Sequence, residues 1–293
     1  MNAAVFLGAL SDMHASANGI SRSSSALHRE TRCILYVSVR KNFFSRNALY
    51  PLIMLLYRNR LLSVLSSDVR RSLQPFLKRR SFHRGEKIEQ PPHMIHSALF
   101  VEEGVISVIF PLSPAVNVEV GMIGREGMTG ISLLTDASPA RFVAEARTDG
   151  WALEILPDAL KALVRQDEEL AFRLARYDAW RNVQSAMIAA SGRAGNIEQN
   201  LARELLMLHD RIDGDKIVAT HDELGSYINV RRASVTEWLH VFEGEHWIRS
   251  KRGYVEIVDR PGLEAAAGDF YGSAENAWFD MLAKLPPDAM AAQ

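Results

Sequence analysis

A capping-box spacing near the C-terminus begins the most informative stretch of the sequence. Thr220 and Glu223 are three residues apart, so the threonine hydroxyl can accept from the Glu223 N–H while the glutamate reaches back to Thr220. Leu224 and Ile228 then supply an apolar face for a short helix. Asn229 follows where a sharp turn is needed, and asparagine is second only to glycine in a left-handed conformation. The pattern predicts two short helices joined by a tight turn.

The second helix carries side chains that can contact a polyanion. Val235, Leu239 and Phe242 recur at helical intervals and mark its buried face. Arginines can clamp guanine edges or phosphates, and hydroxyls can reach either. The pattern therefore favours a DNA-reading helix-turn-helix over a solvated helix pair with an ordinary charged loop. Its candidate DNA contacts are Arg231, Arg232, Ser234, Thr236 and Glu237.

Two alternating segments after this helix indicate a two-stranded β-hairpin, a wing. Trp247-Ile248 and the segment 254–258 flank a basic turn that contains Lys251 and Arg252. A basic hairpin tip suits phosphate contact, so we expect both cations to bind the DNA backbone. Between residues 197 and 258, however, acidic residues outnumber basic ones. Since DNA affinity depends on phosphate neutralisation, the basic side chains must be segregated on the second helix and the wing.

The region ahead of the helix-turn-helix alternates with a period of two between about Arg79 and Leu156. The segment 99–110 predicts two short strands joined by a tight turn at Glu103-Gly104, and the segment 151–156 predicts a strand that Pro157 ends. Several short strands separated by glycines predict a small β-barrel or jelly roll.

A long helical pattern connects the two regions, from Pro157 to about Asp210. An apolar stripe along it can cover the preceding β domain or pair with a second copy of the helix. We favour pairing, because about six turns are long enough to project from the domain. The glycines of the segment 191–195 weaken a helix and predict a hinge. The stripe consists of Leu170, Leu174, Tyr177, Trp180, Val183, Met187 and Ala190.

Composition excludes several classes of protein. The 293 residues suffice for about two domains, the formal net charge is −1, and Cys33 is the only cysteine. One cysteine allows neither an internal disulfide nor a cysteine-ligated metal centre, and it fits a cytoplasmic protein. We expect no membrane span, because no apolar run reaches about 18 residues. We expect no enzyme, metal site or cofactor, because the sequence contains no recognisable nucleophile–base pair, phosphate-binding glycine loop or metal-ligand cluster.

Residues 1–58 differ from the remainder of the chain. They are rich in serine and arginine, with Asp12 and Glu30 as their only acids. This composition is typical of an organelle transit peptide, of a basic nucleic-acid-binding arm, or of a poorly ordered extension. We favour the extension, although the leucines between Tyr50 and Leu65 can form a helix.

In the order of its elements the sequence resembles the Crp/Fnr family of bacterial transcription regulators, over about residues 59–258. Phe82 with Arg84-Gly85-Glu86 resembles the family's early β-roll turn, and the segment 100–108 resembles the hairpin that follows. The resemblance implies an α+β fold: a jelly-roll-like β-roll sensor domain, a long dimerisation helix and a C-terminal winged helix-turn-helix. It implies a homodimer that reads a two-fold related site on double-stranded DNA, and contact with RNA polymerase. The predicted division is an extension (1–58), a cyclic-nucleotide-binding-like β-roll (59–165), the long helix and hinge (166–195), the winged helix-turn-helix (196–260) and a C-terminal tail (261–293).

The effector pocket implied by this resemblance departs from the cyclic-nucleotide pattern. In members that respond to cyclic AMP, a Gly-Glu-Leu-Gly-type turn supplies a glutamate for the ribose, and an Arg-Ser pair holds the phosphate. Here the matching residues are Gly127, Met128, Thr129 and Gly130, and Arg141 is displaced by about two residues. Methionine is a poor acceptor for a ribose hydroxyl. We therefore expect an unassigned effector that is not a cyclic nucleotide; the alternative is a cyclic-nucleotide-binding signalling module that acts through protein partners.

The second helix of the motif also departs from the family's pattern. Arg232 matches the leading DNA-contact arginine, whereas Ala233 replaces the usual glutamate and Glu237 replaces a common arginine. Alanine cannot accept from a cytosine amino group, and a glutamate repels phosphate unless it meets such a donor. We expect DNA binding with a changed target sequence.

Overall fold

Two antiparallel sheets form the N-terminal half of the computed structural model, which describes residues 57–113, 116–136 and 139–283. Two short helices, α1 (Arg60–Ser63) and α2 (Ser67–Leu73), precede them. The first sheet has the order β1 (Lys78–Phe82), β7 (Gly150–Ile155), β3 (Ala98–Glu103). The second has the order β2 (Lys87–Glu89), β6 (Val143–Ala146), β4 (Ile106–Ser113), β5 (Val116–Ile123). Apolar side chains from both sheets share one buried core, as expected for the β-roll. Of the extension predicted for residues 1–58, residues 1–56 lie outside the part of the chain that the structure describes.

The turn at Glu103-Gly104 is a corner between sheets and not the tip of a hairpin. β3 pairs with β7, whereas β4 pairs with β5 and β6. Gly104 has a φ of 98°, and a Cβ atom there would lie 3.0 Å from the Asp149 carbonyl oxygen. The predicted hairpin of residues 100–108 is therefore wrong in its pairing, because alternation shows where strands run but not which neighbour each one takes.

A long helix follows the β-roll. After α3 (Pro157–Gln166), α4 spans the 27 residues Glu168–Ala194, and the Asp167 side chain accepts from the Leu170 N–H at its start. The helix continues through Gly192 and ends at Ala194, and Gly195 is its extended C-cap; of the predicted hinge 191–195, only this last residue leaves the helix. No described helix is long and apolar enough to cross a membrane.

The predicted dimer stripe is already covered within the chain. Leu170, Leu174, Tyr177 and Trp180 are each at most 2% exposed. The Tyr177 hydroxyl donates to the Met128 carbonyl at 2.8 Å, and the Trp180 indole donates to the Ala274 carbonyl at 2.8 Å. The pairing interpretation is thus wrong for these four residues, while Val183 and Met187 are half-buried. Helical periodicity identifies an apolar face, but it does not say what covers that face.

The C-terminal half is a winged helix-turn-helix. Its elements are α5 (Ile197–His209), β8 (Lys216–Ile217), α6 (His221–Tyr227), α7 (Arg232–Gly244), β9 (Ile248–Lys251) and β10 (Tyr254–Ile257). The wing has three strands, in the order β8-β10-β9, where the sequence predicted two. A two-residue strand such as β8 is too short to produce a recognisable alternation.

The segment 261–293 is not a simple tail in its described part. α8 (Arg260–Ala267) starts with a proline in its first turn and buries Leu263 completely in the helix-turn-helix core. α9 (Ser273–Trp278) and a π-helical turn (Phe279–Ala283) then lie against α4. The Trp278 indole donates to the Glu126 carbonyl at 3.0 Å. This segment covers the apolar stripe of α4 around Trp180, while the turn at Met128 contacts Tyr177.

A buried ionic cluster joins the β-roll to the helix-turn-helix. Arg147, which follows β6, lies 2.7 Å from a carboxylate oxygen of Glu204 on α5 and 3.4 Å from one of Glu119 on β5. Its guanidinium carbon lies 3.4 Å from the ring centroid of Tyr227 on α6. Burial, opposed by Arg147 but reinforced by Glu204, raises the pKa of Glu119 to about 8. The apolar core also continues from the β-roll into the helix-turn-helix, because Val105 and Met122 of the β-roll are buried in the same cluster as the apolar residues of α5 and α7.

This cluster predicts a pH-dependent stability difference between the wild type and Glu119→Gln. With the pKa of Glu119 raised to about 8, the folded protein retains a proton that the unfolded chain releases near its ordinary pKa. This proton stabilises the folded protein fully below the ordinary pKa of glutamate. The stabilisation is lost as the pH rises from that value to the raised pKa of Glu119 in the folded protein. Glutamine cannot ionise, so E119Q should gain stability relative to wild type across this window, by at most about 1.4 kcal/mol per pH unit.

Urea unfolding at several pH values measures this difference. The control Glu245→Gln changes an exposed carboxyl after α7 and should follow the wild type. An E119Q curve parallel to the wild-type curve would mean that Glu119 is ionised in the folded protein.

Candidate nucleic-acid interface

The first helix of the motif starts and ends as the sequence predicts. The Glu223 N–H donates to the Thr220 hydroxyl at 3.2 Å, and the Thr220 N–H donates to the Glu223 carboxylate at 2.7 Å, which confirms the capping box. Asn229 has a φ of 56°, the left-handed conformation expected at the turn. A Cβ atom on Gly225 would lie 2.7 Å from the Val230 carbonyl oxygen, so the helix and the turn approach closely. These features fix the angle at which α7 leaves the turn.

α7 presents its polar face outward. Val235, Leu239 and Phe242 are fully buried beneath it. Arg231 lies at the N-cap and Arg232 begins the helix; both are exposed, as is Glu237, while Ser234 and Thr236 are half-buried. The Arg232 guanidinium lies 3.8 Å from the Asp222 carboxylate, a pair in which both side chains are about two-thirds exposed and therefore weakly held. The two arginines thus stand at the exposed end of the recognition helix.

The wing adds a second group of cations beside α7. β9 ends at Lys251, and the chain reverses at Arg252-Gly253, where Gly253 has a φ of 85°. Lys251 and Arg252 are exposed at this tip. Arg249 is also exposed and lies 3.9 Å from the Glu256 carboxylate across the hairpin. The structure therefore brings the basic residues predicted for the helix and those predicted for the wing onto one domain of the chain.

Acidic residues of this half are engaged by cations from outside the interface. Asp210 lies 2.8 Å from Arg260 on α8, and Asp213 lies 2.6 Å from Arg125 in the β-roll. Glu204 pairs with Arg147 in the buried cluster. Acidic residues outnumber basic ones between residues 197 and 258, but that count leaves out Arg260, Arg125 and Arg147, which pair with three of the acids. The count therefore does not give the charge of the exposed surface.

The β-roll holds α6 at both of its ends. Arg84, in the turn between β1 and β2, donates to the carboxylate of Glu223 in the capping box. Arg147 stacks on Tyr227 in the last turn of the helix. The orientation of the motif on the β-roll is thus set by two arginines that lie more than 70 residues before it in the sequence.

His221 is a residue of this surface that sequence reasoning missed. Its Nδ1 atom lies 2.8 Å from the Thr236 hydroxyl on α7, and its Nε2 atom lies 3.5 Å from the Ser250 hydroxyl on β9. Its position directly after the capping threonine was visible in the sequence, but its two partners become neighbours only in the folded domain.

The predicted effector turn is tightly held by the chain itself. Met128 is fully buried, and its backbone N–H donates to the Tyr177 hydroxyl at 2.9 Å. A Cβ atom on Gly127 would lie 2.2 Å from that hydroxyl oxygen, so only glycine allows this approach. The Gly130 N–H donates to the Glu89 carboxylate at 2.7 Å, and the Thr129 hydroxyl accepts from the Leu99 N–H at 3.2 Å.

Two charged residues that lie near this turn in the sequence differ in their exposure and contacts. Arg141 is exposed on the surface, while the turn itself is buried. Glu126, one residue before the turn, lies 2.8 Å from Arg211 after α5 and therefore faces the helix-turn-helix. Among the described residues, no group of histidine, cysteine, aspartate and glutamate side chains can hold a metal ion.

Comparison with known proteins agrees with this architecture. The family model for the Crp-like helix-turn-helix domain matches residues 199–266 of this chain. A Crp-family transcriptional regulator from Thermus thermophilus has a TM-score of 0.56 at 24% identity, over 65% of this chain and 97% of its own. The chain has the Crp/Fnr fold and a Crp-like helix-turn-helix domain.

Two further solved structures share the fold. A putative Crp/Fnr-family transcriptional regulator from Eubacterium rectale has a TM-score of 0.57 at 16% identity, over 72% of this chain and 98% of its own. FixK2 from Bradyrhizobium japonicum has a TM-score of 0.57 at 16% identity, over 66% of this chain and 98% of its own. No curated protein sequence matches the chain significantly. The Thermus thermophilus and Eubacterium rectale proteins are both named as transcriptional regulators.

Proposed function

We propose that the protein is a homodimeric transcription regulator that reads a two-fold related DNA site and needs no cyclic nucleotide. The observation that carries the proposal is the exposed set of cations at the start of α7 and at the wing tip, on a Crp-like helix-turn-helix domain. A recognition helix inserts its N-terminal residues into the major groove, while hairpin tips contact phosphates. Contact with RNA polymerase is proposed from the resemblance of about residues 59–258 to this class of regulator.

Each polar residue of the interface has a proposed role. Arg232 bonds a guanine edge, and Arg231 is the reserve candidate because it precedes Arg232 by one residue. Glu237 accepts from a cytosine amino group, since it is exposed on the outer face of α7. Lys251 and Arg252 bind phosphates. The hydroxyls of Ser234 and Thr236 are half-buried, so they contact the backbone or bases only at the edge of the groove.

Dimerisation is proposed through the outer face of α4, and not through the stripe first predicted. With Leu170 to Trp180 covered by the chain itself, the exposed positions of α4 include the apolar residues Phe172, Ala175, Ala179, Ala186 and Ala190, with Asp178, Asn182 and Ala189 exposed among them. The first five positions recur at steps of three, four and seven residues, the spacing of a coiled-coil seam. Alanines at such a seam allow two helices to approach closely.

The absence of a cyclic-nucleotide response is proposed from the state of the effector turn. Tyr177 on α4 makes two hydrogen bonds to the backbone of Met128, of 2.8 and 2.9 Å. The contact joins the turn to the long helix through a protein side chain. The Glu89 carboxylate occupies the backbone N–H of Gly130, a donor that an anionic ligand would otherwise use. The effector, if the protein has one, stays unassigned.

The dimer interface predicts the effect of charge on α4. The double variant Ala179→Glu/Ala186→Glu should be monomeric, because like charges meet across the seam and the alanine contacts are lost. Light scattering measures the mass. Ala162→Glu, at an exposed alanine of α3, is the matched control and should remain dimeric. A double variant with the wild-type mass would show that α4 does not form the interface.

The DNA-reading roles predict separate losses of specificity and affinity. Bound sequences are first selected from random DNA, with and without cell extract. Arg232→Ala should weaken the selected site by about 1–3 kcal/mol and leave scrambled DNA nearly unchanged. Lys251→Ala should weaken both equally and lower the salt slope by about one unit.

Binding titrations across several salt concentrations measure both effects. Equal losses on both DNAs in Arg232→Ala would make that arginine a phosphate contact. Failure to select any sequence would contradict DNA reading and favour a module that acts through protein partners.

A further inference from the structure

His221 connects the three elements that form the DNA-reading surface. It is the first residue of α6, its Nδ1 atom contacts Thr236 of α7 at 2.8 Å, and its Nε2 atom faces Ser250 of β9 at 3.5 Å. The side chain is half-buried between them. The ring therefore bridges the first helix, the recognition helix and the wing.

The hydrogen bonds of Thr236 identify the proton-bearing nitrogen of the neutral ring. The Thr236 hydroxyl has a single proton, which it donates to the Arg232 carbonyl at 3.1 Å. Its lone pair then accepts from the Nδ1–H group of His221. The Nε2 atom of the neutral ring has no proton and accepts from Ser250. Protonation adds an N–H group at Nε2, on the side of the ring that faces the wing.

The surrounding charges disfavour the protonated ring in the free protein. Burial, together with the positive charges of Arg232 and His240 on α7, lowers the pKa of His221 against the opposing effect of Asp222 on its own helix. On the wing, the Ser250 N–H is bound to the Glu243 carboxylate at 3.0 Å. A DNA phosphate that approaches this surface adds negative charge and favours the protonated form.

We propose that His221 takes up a proton when the protein binds DNA, so that the charged ring aligns the recognition helix with the wing and adds a cation to the phosphate-facing surface. The inference rests on the proposed DNA-binding function and names a positioning residue within it. Binding that takes up a proton weakens as pH rises through the window between the pKa of the free protein and the higher pKa of the complex. DNA affinity should therefore fall from mildly acidic to mildly basic pH.

The test compares DNA affinities at constant ionic strength between about pH 5.5 and about pH 8.5, the range in which histidine titrates. Fluorescence anisotropy on the selected site should show wild-type affinity falling about tenfold. His221→Gln, which keeps a donor and an acceptor but cannot be charged, should bind weakly at every pH. His221→Lys, which stays charged, should show little pH dependence.

His93→Gln is the control, because His93 is exposed in the loop between β2 and β3 of the β-roll and contributes nothing to the charges around His221. It should keep the wild-type pH dependence. Calorimetry of the wild type in two buffers of different ionisation enthalpy should detect net proton uptake near pH 6.5, close to the ordinary histidine pKa.

Three results would overturn the inference: a wild-type slope retained by His221→Gln, a slope lost in His93→Gln, or no proton uptake by calorimetry. Sequence-specific binding without pH dependence contradicts the role of His221 alone. Absence of sequence-specific binding at every pH contradicts the proposed function as well.

Discussion

The proposed DNA-reading surface is held on the β-roll by one buried arginine, Arg147, assisted by the more exposed pair of Arg84 and Glu223. Arg147 is 6% exposed and lies between the carboxyl groups of Glu119 and Glu204 while it stacks on Tyr227. Its removal would leave two carboxyl groups without their cation in a site closed to water, and breaking such a buried pair costs about 3–5 kcal/mol. The helix-turn-helix is therefore held on the β-roll, and α6 and α7 can present their polar faces in one fixed direction.

Local features of the sequence were sufficient to predict the motif. A capping box, a left-handed asparagine and three buried positions at helical spacing are all satisfied within about 25 residues of chain, so neighbouring residues determine them. Thr220, Glu223 and Asn229 adopt the predicted conformations for this reason. The β-roll strands were predictable from their alternation, and the long helix from its period.

Long-range pairing was not predictable from the same patterns. The stripe from Leu170 to Trp180 has the spacing of a dimer seam, yet it is covered by the Met128 turn, 49 residues before Tyr177, and by Ala274, 94 residues after Trp180. The surplus of acid around α5 is neutralised by Arg147, Arg125 and Arg260, none of which lies between residues 197 and 258. The bridge from His221 to Ser250 likewise exists only after the wing folds against α7. In each case the residue singled out by the sequence pattern contacts a residue that is distant in the sequence and becomes its neighbour only in the folded protein.

Guanine methylation protection on the selected DNA tests the central claim, that two copies of this chain read the major groove with α7. Arginine forks cover the guanine N7 and O6 atoms, so bound guanines should resist methylation. A dimer should protect two clusters related by two-fold symmetry, with centres about 10 base pairs apart or a multiple of that distance. A single protected cluster would contradict the dimer. If a cleavage footprint shows a protected phosphate backbone but the guanines within it are still methylated, reading by the recognition helix is contradicted.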